Sequence, residues 1–183
     1  MNNNVILHVY ELQPDTSSRR PHEISNTDKA LLMVTGLLPT IGLGAYHTSL
    51  EVMELKYTFA ANAGVMCGRS NGPDVGVPNG AKGPVQRIDL GPCLRTKQEL
   101  IQIIKKLSSL FYTSTSYDIM HRNCNHFTET LATCLVVHDP RERLETYPGW
   151  LNRLANTGAM VINKKDNVVT SNVVAEARVA SGY

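Results

Sequence analysis

The sequence lacks the cysteine pairs, basic blocks and long apolar runs that mark several classes of protein. Its four cysteines form neither a CxxC pair nor a dense disulfide framework, so we expect reduced thiols, no metal and no other cofactor. The 18 basic and 16 acidic residues give a net charge of +2 without a Lys/Arg block, which argues against nucleic acid as a partner. No stretch reads as a signal peptide or a membrane span, and we expect a cytoplasmic protein, with the nucleus as a second location.

The 183 residues, 42% of them hydrophobic, suffice for one core and one domain. Runs rich in β-branched and aromatic residues predict a strand over 5–12, two strands within 46–60 that reverse near Met53 and Glu54, and a strand over 85–91. Helices are predicted over 28–34, over 96–112 behind a Thr96-x-x-Glu99 capping box, after Asn123, from Asp139 and from Pro148. This order predicts an α+β protein whose antiparallel sheet is packed by helices.

A glycine-rich stretch over 61–84 lies between the two strands predicted within 46–60 and the strand predicted over 85–91. It lacks the GxxxxGK[ST] pattern of a phosphate-binding loop, so we interpret it as a flap or a surface loop. Residues 161–183 show no periodic pattern, and we predict a domain over 1–160 followed by a C-terminal tail over 161–183.

The segment "RNCNHFTET" (122–130) places a cysteine between two asparagines. Asn123 is a natural N-cap, which puts Cys124 in the first turn of a helix. The exposed N–H groups and positive potential there lower the pKa of a thiol. A buried structural thiol gains nothing from Asn123 and Asn125, whereas a nucleophile can use polar neighbours as an oxyanion hole. Cys124 is therefore predicted to be a nucleophile rather than a metal ligand or a core thiol.

A nucleophilic thiol needs a base, and spacing alone does not choose among six histidines. His126 points roughly 200° away from Cys124 on a helix with about 3.6 residues per turn, so it is a poor base. A histidine on a strand that crosses the helix N-terminus fits better, which favours His47 or His8. By alternation, His47 shares the more polar face of its strand with Ser49 and Glu51.

The segments "GLGAYHTSLEV" and, about seventy residues later, "NCNHFTETL" are similar to those of the PPPDE, or desumoylating isopeptidase, family. Five further segments of this chain occur in the same order as in that family: "VYEL", "YTFAANAGV", "DLGP", "YDIMHRNCNHFT" and "YPGWLNRLANTG". The resemblance covers roughly residues 5–160. It implies a circularly permuted papain-like fold and a dyad of His47 as base and Cys124 as nucleophile.

The resemblance implies a cysteine isopeptidase or deubiquitinase-like enzyme that removes ubiquitin or SUMO from protein lysines. Its partners would be ubiquitin or SUMO conjugates, and a homodimer is kept as an alternative to a monomer because relatives include homodimers. The backbone N–H of Cys124 is the expected oxyanion donor. Asn123, Asn125, Ser49 and Tyr10 are candidates for a further oxyanion or orienting group.

Other functions stay open. Thioesters use the same nucleophile, and a phospholipid acyltransferase of the lecithin-retinol type has a similar "NC-x-HF" motif. That class carries a second histidine about twelve residues after the first, where this chain has Phe59. A non-catalytic module that binds the modifier is a further alternative, although this chain retains both His47 and Cys124.

Overall fold

The computed structural model describes residues 3–12, 46–77, 83–119, 121–139 and 144–152. The described residues contain five strands and two α-helices, in this order: β1 (Asn4–Glu11), β2 (Tyr46–Val52), β3 (Leu55–Ala60), β4 (Gly64–Arg69), β5 (Gln86–Pro92), α1 (Lys97–Lys106) and α2 (Cys124–Val136). A short π-helix, Leu107–Phe111, extends α1. The capping box at Thr96 and Glu99 begins α1 as predicted.

The strands form one antiparallel sheet in the order β4-β3-β2-β1-β5. The β2–β3 hairpin reverses at Met53 and Glu54, whose φ angles are both positive, at 48° and 65°. This is the predicted point of reversal. An antiparallel sheet with two helices confirms the α+β class, while the circular permutation stays a prediction.

The core lies between one face of the sheet and helix α2, which packs on it. Alternate residues of the strands supply this face, and among them Leu7, Leu50 and Phe59 are fully buried. Helix α2 contributes Phe127 and Leu131, which are also fully buried. Each such side chain contributes roughly 1.5–3 kcal/mol through burial, so the sheet fixes the position of α2 firmly.

Buried polar contacts hold the C-terminal end of α2. The Arg95 guanidinium donates from Nε to the Cys134 carbonyl and from Nη2 to the Val137 carbonyl, each at 2.7 Å. Because the last carbonyls of a helix have no intrahelical donor, this arginine satisfies them and complements the negative end of the helix dipole.

The glycine-rich stretch predicted as a loop contains a strand, β4. It was missed because "GVMCGR" has a glycine near each end, and glycine is depleted in strands. The following turn lies over the outer face of the sheet, where Lys56 pairs with Asp74 at 2.7 Å. A Cβ on Gly76 would lie 2.6 Å from Thr58 Cγ2, so this close approach requires glycine.

Several predictions of the sequence lie wholly or partly outside the described residues. The helix over 28–34, most of the helix from Asp139, the domain boundary at 160 and the tail over 161–183 belong to this group. Residues 149–152 form turns at the start of the predicted helix from Pro148. In the part of the chain that the structure describes, no helix is long and apolar enough to cross a membrane.

Candidate active site

The N-terminus of α2 is fixed by its own first residues. Asn123 Oδ1 accepts hydrogen bonds from the N–H groups of Asn125 at 2.9 Å and His126 at 3.1 Å. The His126 side chain bonds back to the Asn123 N–H, which completes a capping box. As predicted, Asn123 is the N-cap and Cys124 begins the helix.

The Cys124 thiol is enclosed, with only 4% of the residue exposed. Its Sγ donates to Asn125 Oδ1 at 3.6 Å. Burial raises the pKa of this thiol, and the opposing contacts that lower the pKa come from the Thr48 and Asn125 backbones and from the Tyr117 side chain. The helix N-terminus was expected to favour the thiolate, but desolvation outweighs it here. The thiol is therefore neutral in this structure.

A buried polar network joins α2 to strand β2. Asn125 Oδ1 accepts from Thr48 Oγ1 at 2.9 Å, and Asn125 Nδ2 donates to the Leu151 carbonyl at 3.0 Å. Thr48 Oγ1 also lies 2.8 Å from Thr128 Oγ1, which in turn contacts the Tyr147 hydroxyl at 2.9 Å. Asn125 thus links the first turn of α2 to β2 and to Leu151, while its predicted orienting or oxyanion role stays a prediction.

Sequence reasoning missed three members of this network: Thr48, Thr128 and Tyr147. Two of them carried a signal, because Thr48 directly follows the candidate base and Thr128 lies one helical turn after Cys124. Tyr147 carried none, since it meets the helix from a segment 19 residues further on.

His47 lies on β2 next to Thr48, but its ring faces away from α2. Thr48 directs its side chain toward α2, so alternation sends His47 to the outer face of the sheet. There His47 Nε2 lies 2.9 Å from Thr58 Oγ1, and its ring centroid is 6.1 Å from that of Tyr10. Among the described residues, no hydrogen bond joins His47 to Cys124. The dyad therefore stays a prediction.

The remaining site candidates divide between the two faces of the sheet. Ser49 and Tyr10 lie on the outer face with His47, where the Tyr10 hydroxyl is 3.4 Å from Ser49 Oγ. Burial raises the pKa of Tyr10, so its hydroxyl stays protonated. His8, the alternative base, is also on this face and pairs with Glu51 at 2.6 Å. Asn123 and Asn125 lie with Cys124 on the helix side.

We expect the protein to lose stability as the pH falls from 6.5 toward 4. Burial lowers the pKa of His47 from 6.5 to about 4, so across this window the unfolded chain binds a proton that the folded chain does not. Stability therefore rises with pH and is complete above 6.5. The change between pH 7.5 and pH 5 is about 2 kcal/mol, and the lowered pKa of His8 adds in the same direction.

Urea unfolding at these two pH values tests this prediction in the unmodified protein and in His47→Gln. The loss of unfolding free energy at pH 5 should shrink in the variant. An equal loss in both proteins would contradict a neutral, buried His47.

The other three cysteines have separate surroundings. Cys67 is exposed, Cys93 is half-buried, and Cys134 is buried; all are free thiols. Burial raises the pKa of Cys134 to about 12, as its place in the hydrophobic core requires. No group of three histidine, cysteine or acidic side chains in the described ranges could hold a metal ion.

Comparison of the sequence with known proteins shows which family the chain belongs to. The profile of the PPPDE putative peptidase domain matches residues 3–169. The chain is 30% identical over 159 residues to the DeSI-like protein sdu1 of Schizosaccharomyces pombe (84% of this chain, 65% of that protein). It is 28% identical over 161 residues to the DeSI-like protein At4g17486 of Arabidopsis thaliana (85% and 56%).

A third relative is the desumoylating isopeptidase 1 homolog of Caenorhabditis elegans, which is 30% identical over 123 residues (66% of this chain, 34% of that protein). The chain thus spans between about a third and just under two thirds of the length of these relatives. The profile match covers most of the chain. The chain therefore belongs to the PPPDE putative peptidase family.

Proposed function

We propose that this protein is a cysteine isopeptidase that removes SUMO from lysines of modified proteins. The position of Cys124 carries the proposal, because its thiol lies at the capped N-terminus of a core helix, within a polar network. The Caenorhabditis elegans relative is named as a desumoylating isopeptidase 1 homolog, which favours SUMO. Ubiquitin as modifier, a homodimer, and a cytoplasmic and nuclear location stay predictions.

In the proposed reaction, Cys124 is the nucleophile and His47 is the base. His47 takes the thiol proton, and Cys124 Sγ attacks the carbonyl carbon of the modifier's C-terminal glycine. Protonated His47 gives the proton to the lysine amine as the C–N bond breaks, and later activates the water that hydrolyses the thioester. Burial lowers the pKa of His47 to about 4, so the ring is neutral at pH 7, and its basicity must rise in the substrate complex before it can take the thiol proton.

The dyad requires a change in the position of the His47 ring. Its Nε2 is bonded to Thr58 Oγ1 on the outer face, at 2.9 Å, while Cys124 lies on the helix side. We propose that the contact between His47 and the thiol forms in the substrate complex, since catalytic hydrogen bonds are often long or poorly aligned without substrate.

Stabilisation of the tetrahedral intermediate is assigned to the backbone N–H of Cys124. The first N–H groups of a helix have no intrahelical acceptor, so this donor is available to an oxyanion next to Sγ. One such donor is typically worth about 10² to 10³ in kcat. The Asn123 side chain already caps Asn125 and His126, so its proposed role is to hold the helix start in place.

An aromatic pair adjacent to the site is proposed as a wall of the substrate groove. The Tyr46 and Trp150 rings pack edge to face, with centroids 4.9 Å apart. Trp150 is 37% exposed. Tyr46 directly precedes His47, and Trp150 directly precedes Leu151, whose carbonyl holds Asn125. A narrow apolar wall here suits the extended, glycine-ended tail of a ubiquitin-like modifier.

The acyltransferase alternative gains no support from Phe59. This side chain is fully buried and packs against Tyr112, Tyr117 and Phe127 at centroid distances of 5.1, 5.1 and 6.2 Å. The position that would hold a second histidine in that class is thus part of an aromatic cluster.

Hydrolysis of defined conjugates tests the proposed function. SUMO and ubiquitin are each joined through the C-terminal glycine to the lysine side chain of a fluorescent peptide, and release of the peptide is followed. We expect cleavage of the SUMO conjugate at a rate well above that of the ubiquitin conjugate. Cleavage of neither conjugate would contradict the isopeptidase assignment, and cleavage of ubiquitin alone would contradict the choice of modifier.

A further inference from the structure

The loop that precedes Cys124 returns on itself and brings Tyr117 back beside the thiol. An antiparallel bridge joins Asp118 to Arg122, with N–H to carbonyl distances of 3.0 and 2.8 Å. Asn123 Nδ2 adds a bond of 2.9 Å to the Ile119 carbonyl. Because the bridge pairs positions 118 and 122, the flanking positions 117 and 123 lie close together. Tyr117 is therefore a neighbour of the first turn of α2.

The Tyr117 ring is held by the aromatic cluster below it. Its centroid lies 5.1 Å from that of Phe59, with a tilt of 36°. Phe59 is fully buried and also contacts Phe127, which is on α2 three residues after Cys124. The ring is thus fixed against the same helix that carries the nucleophile.

With the ring fixed in this way, the Tyr117 hydroxyl lies close enough to the Cys124 thiol to lower the pKa of that thiol. Burial raises the pKa of Tyr117, so the hydroxyl keeps its proton over the working pH range. A protonated phenol is a donor toward an anionic sulfur. Hydrogen bonds to a charged acceptor are roughly twice as strong as those between neutral groups.

We propose that Tyr117 is a catalytic residue whose hydroxyl donates a hydrogen bond to the Cys124 thiolate before attack. This inference rests on the proposed function and adds to it a group that stabilises the reacting sulfur. The thiol is enclosed and desolvated, so its anion needs a donor that is already in place. Tyr117 supplies that donor from the loop, while Asn125 Oδ1 accepts from the neutral thiol at 3.6 Å.

The proton balance of the step is simple. The thiol proton moves to His47, Tyr117 keeps its own proton, and the hydrogen bond from Tyr117 to sulfur strengthens as the negative charge forms. When Sγ bonds to the glycine carbonyl carbon, the charge moves to the carbonyl oxygen and the sulfur no longer needs the donor. Tyr117 thus favours the reactive anion without being consumed.

Tyr112 offers a matched control within the same cluster. Its ring also lies 5.1 Å from Phe59, but its hydroxyl bonds to Thr130 Oγ1 at 2.9 Å and to the His126 carbonyl at 3.2 Å. Tyr112→Phe and Tyr117→Phe each remove one hydroxyl from the same aromatic cluster. Only the hydroxyl of Tyr117 lies near the Cys124 thiol.

The test is the pH profile of Cys124 alkylation by iodoacetamide, read by peptide mass spectrometry in the unmodified protein, Tyr117→Phe and Tyr112→Phe. Tyr117→Phe should react about tenfold more slowly at pH values below the thiol pKa, the size expected for a lost bond to a charged group. Its profile should move to higher pH, and kcat for the SUMO conjugate should fall about tenfold with KM unchanged. Tyr112→Phe should stay within about twofold of the unmodified protein.

An unchanged profile in Tyr117→Phe, or an equal shift in Tyr112→Phe, would overturn the assignment. Circular dichroism and thermal unfolding establish that both variants are folded. Alkylation needs no modifier, so it separates this inference from the proposed function. If the unmodified protein cleaves no conjugate while Tyr117→Phe still shifts the profile, the isopeptidase assignment fails and the role of Tyr117 stands.

Discussion

Replacing Cys124 by alanine should reduce cleavage of the SUMO conjugate by about 10⁴-fold or more, as the loss of a covalent nucleophile does in related chemistries. The backbone donors of the oxyanion hole remain in this variant, but no thioester intermediate can form without the thiol. The free energy of unfolding should change by only about 1 kcal/mol, since one small side chain is removed. The measurements are the initial rate with the conjugate and urea unfolding of the same preparation.

Cys134→Ala is the matched control for this variant. Both thiols are buried on α2, but Cys134 lies at the far end of the helix, in the apolar core. Its replacement should affect stability to a similar degree and leave turnover within about twofold. Retained activity in Cys124→Ala, or equal losses in the two variants, would contradict the assignment of the nucleophile.

Replacing His47 by alanine should lower kcat for the SUMO conjugate by about 10² to 10⁴-fold, the range for loss of a general base. The thiol would then ionise without a partner to take its proton and return it to the leaving amine. The rate at saturating conjugate concentration is measured across pH 6 to 9. Activity of the variant should also recover in part at high pH, where solvent can remove the thiol proton.

The matched control for His47→Ala is His126→Ala. His126 is two residues from Cys124 but completes the capping box of α2, so its loss should cost about 1 kcal/mol of stability and little kcat. Equal losses of kcat from the two histidines, in folded proteins, would show that the dyad is assigned wrongly. So would full activity in His47→Ala, in which case the outer-face position of His47 is simply structural.

Local patterns predicted much of the fold, because their physical cause lies within a few residues. The capping boxes at Thr96 and Asn123 satisfy helix N–H groups from neighbouring side chains, so a short window of sequence suffices. The hairpin at Met53 and Glu54 was likewise visible between two strand-forming runs. Strand β4 was missed, since its glycines obscure a strand that tertiary pairing with β3 imposes.

The site was predictable only in part, because its contacts join distant segments. Strand alternation correctly predicted that the His47 and Ser49 side chains share one face of β2. The sequence does not show which helix packs against the other face. The bonds from Asn125 to Thr48 and to the Leu151 carbonyl depend on how the helix packs. Tyr117 was not recognised for the same reason, since its approach to Cys124 depends on the bridge within the preceding loop.

The central claim is that Cys124 is the nucleophile of an isopeptidase for a ubiquitin-like modifier. Its most direct test is intact-mass detection of covalent capture by C-terminal propargylamide probes of SUMO and of ubiquitin. We predict one added SUMO probe per chain, on a peptide containing Cys124, and no capture by Cys124→Ala. No capture of either probe by the folded, unmodified protein, or capture that persists in Cys124→Ala, would contradict the account.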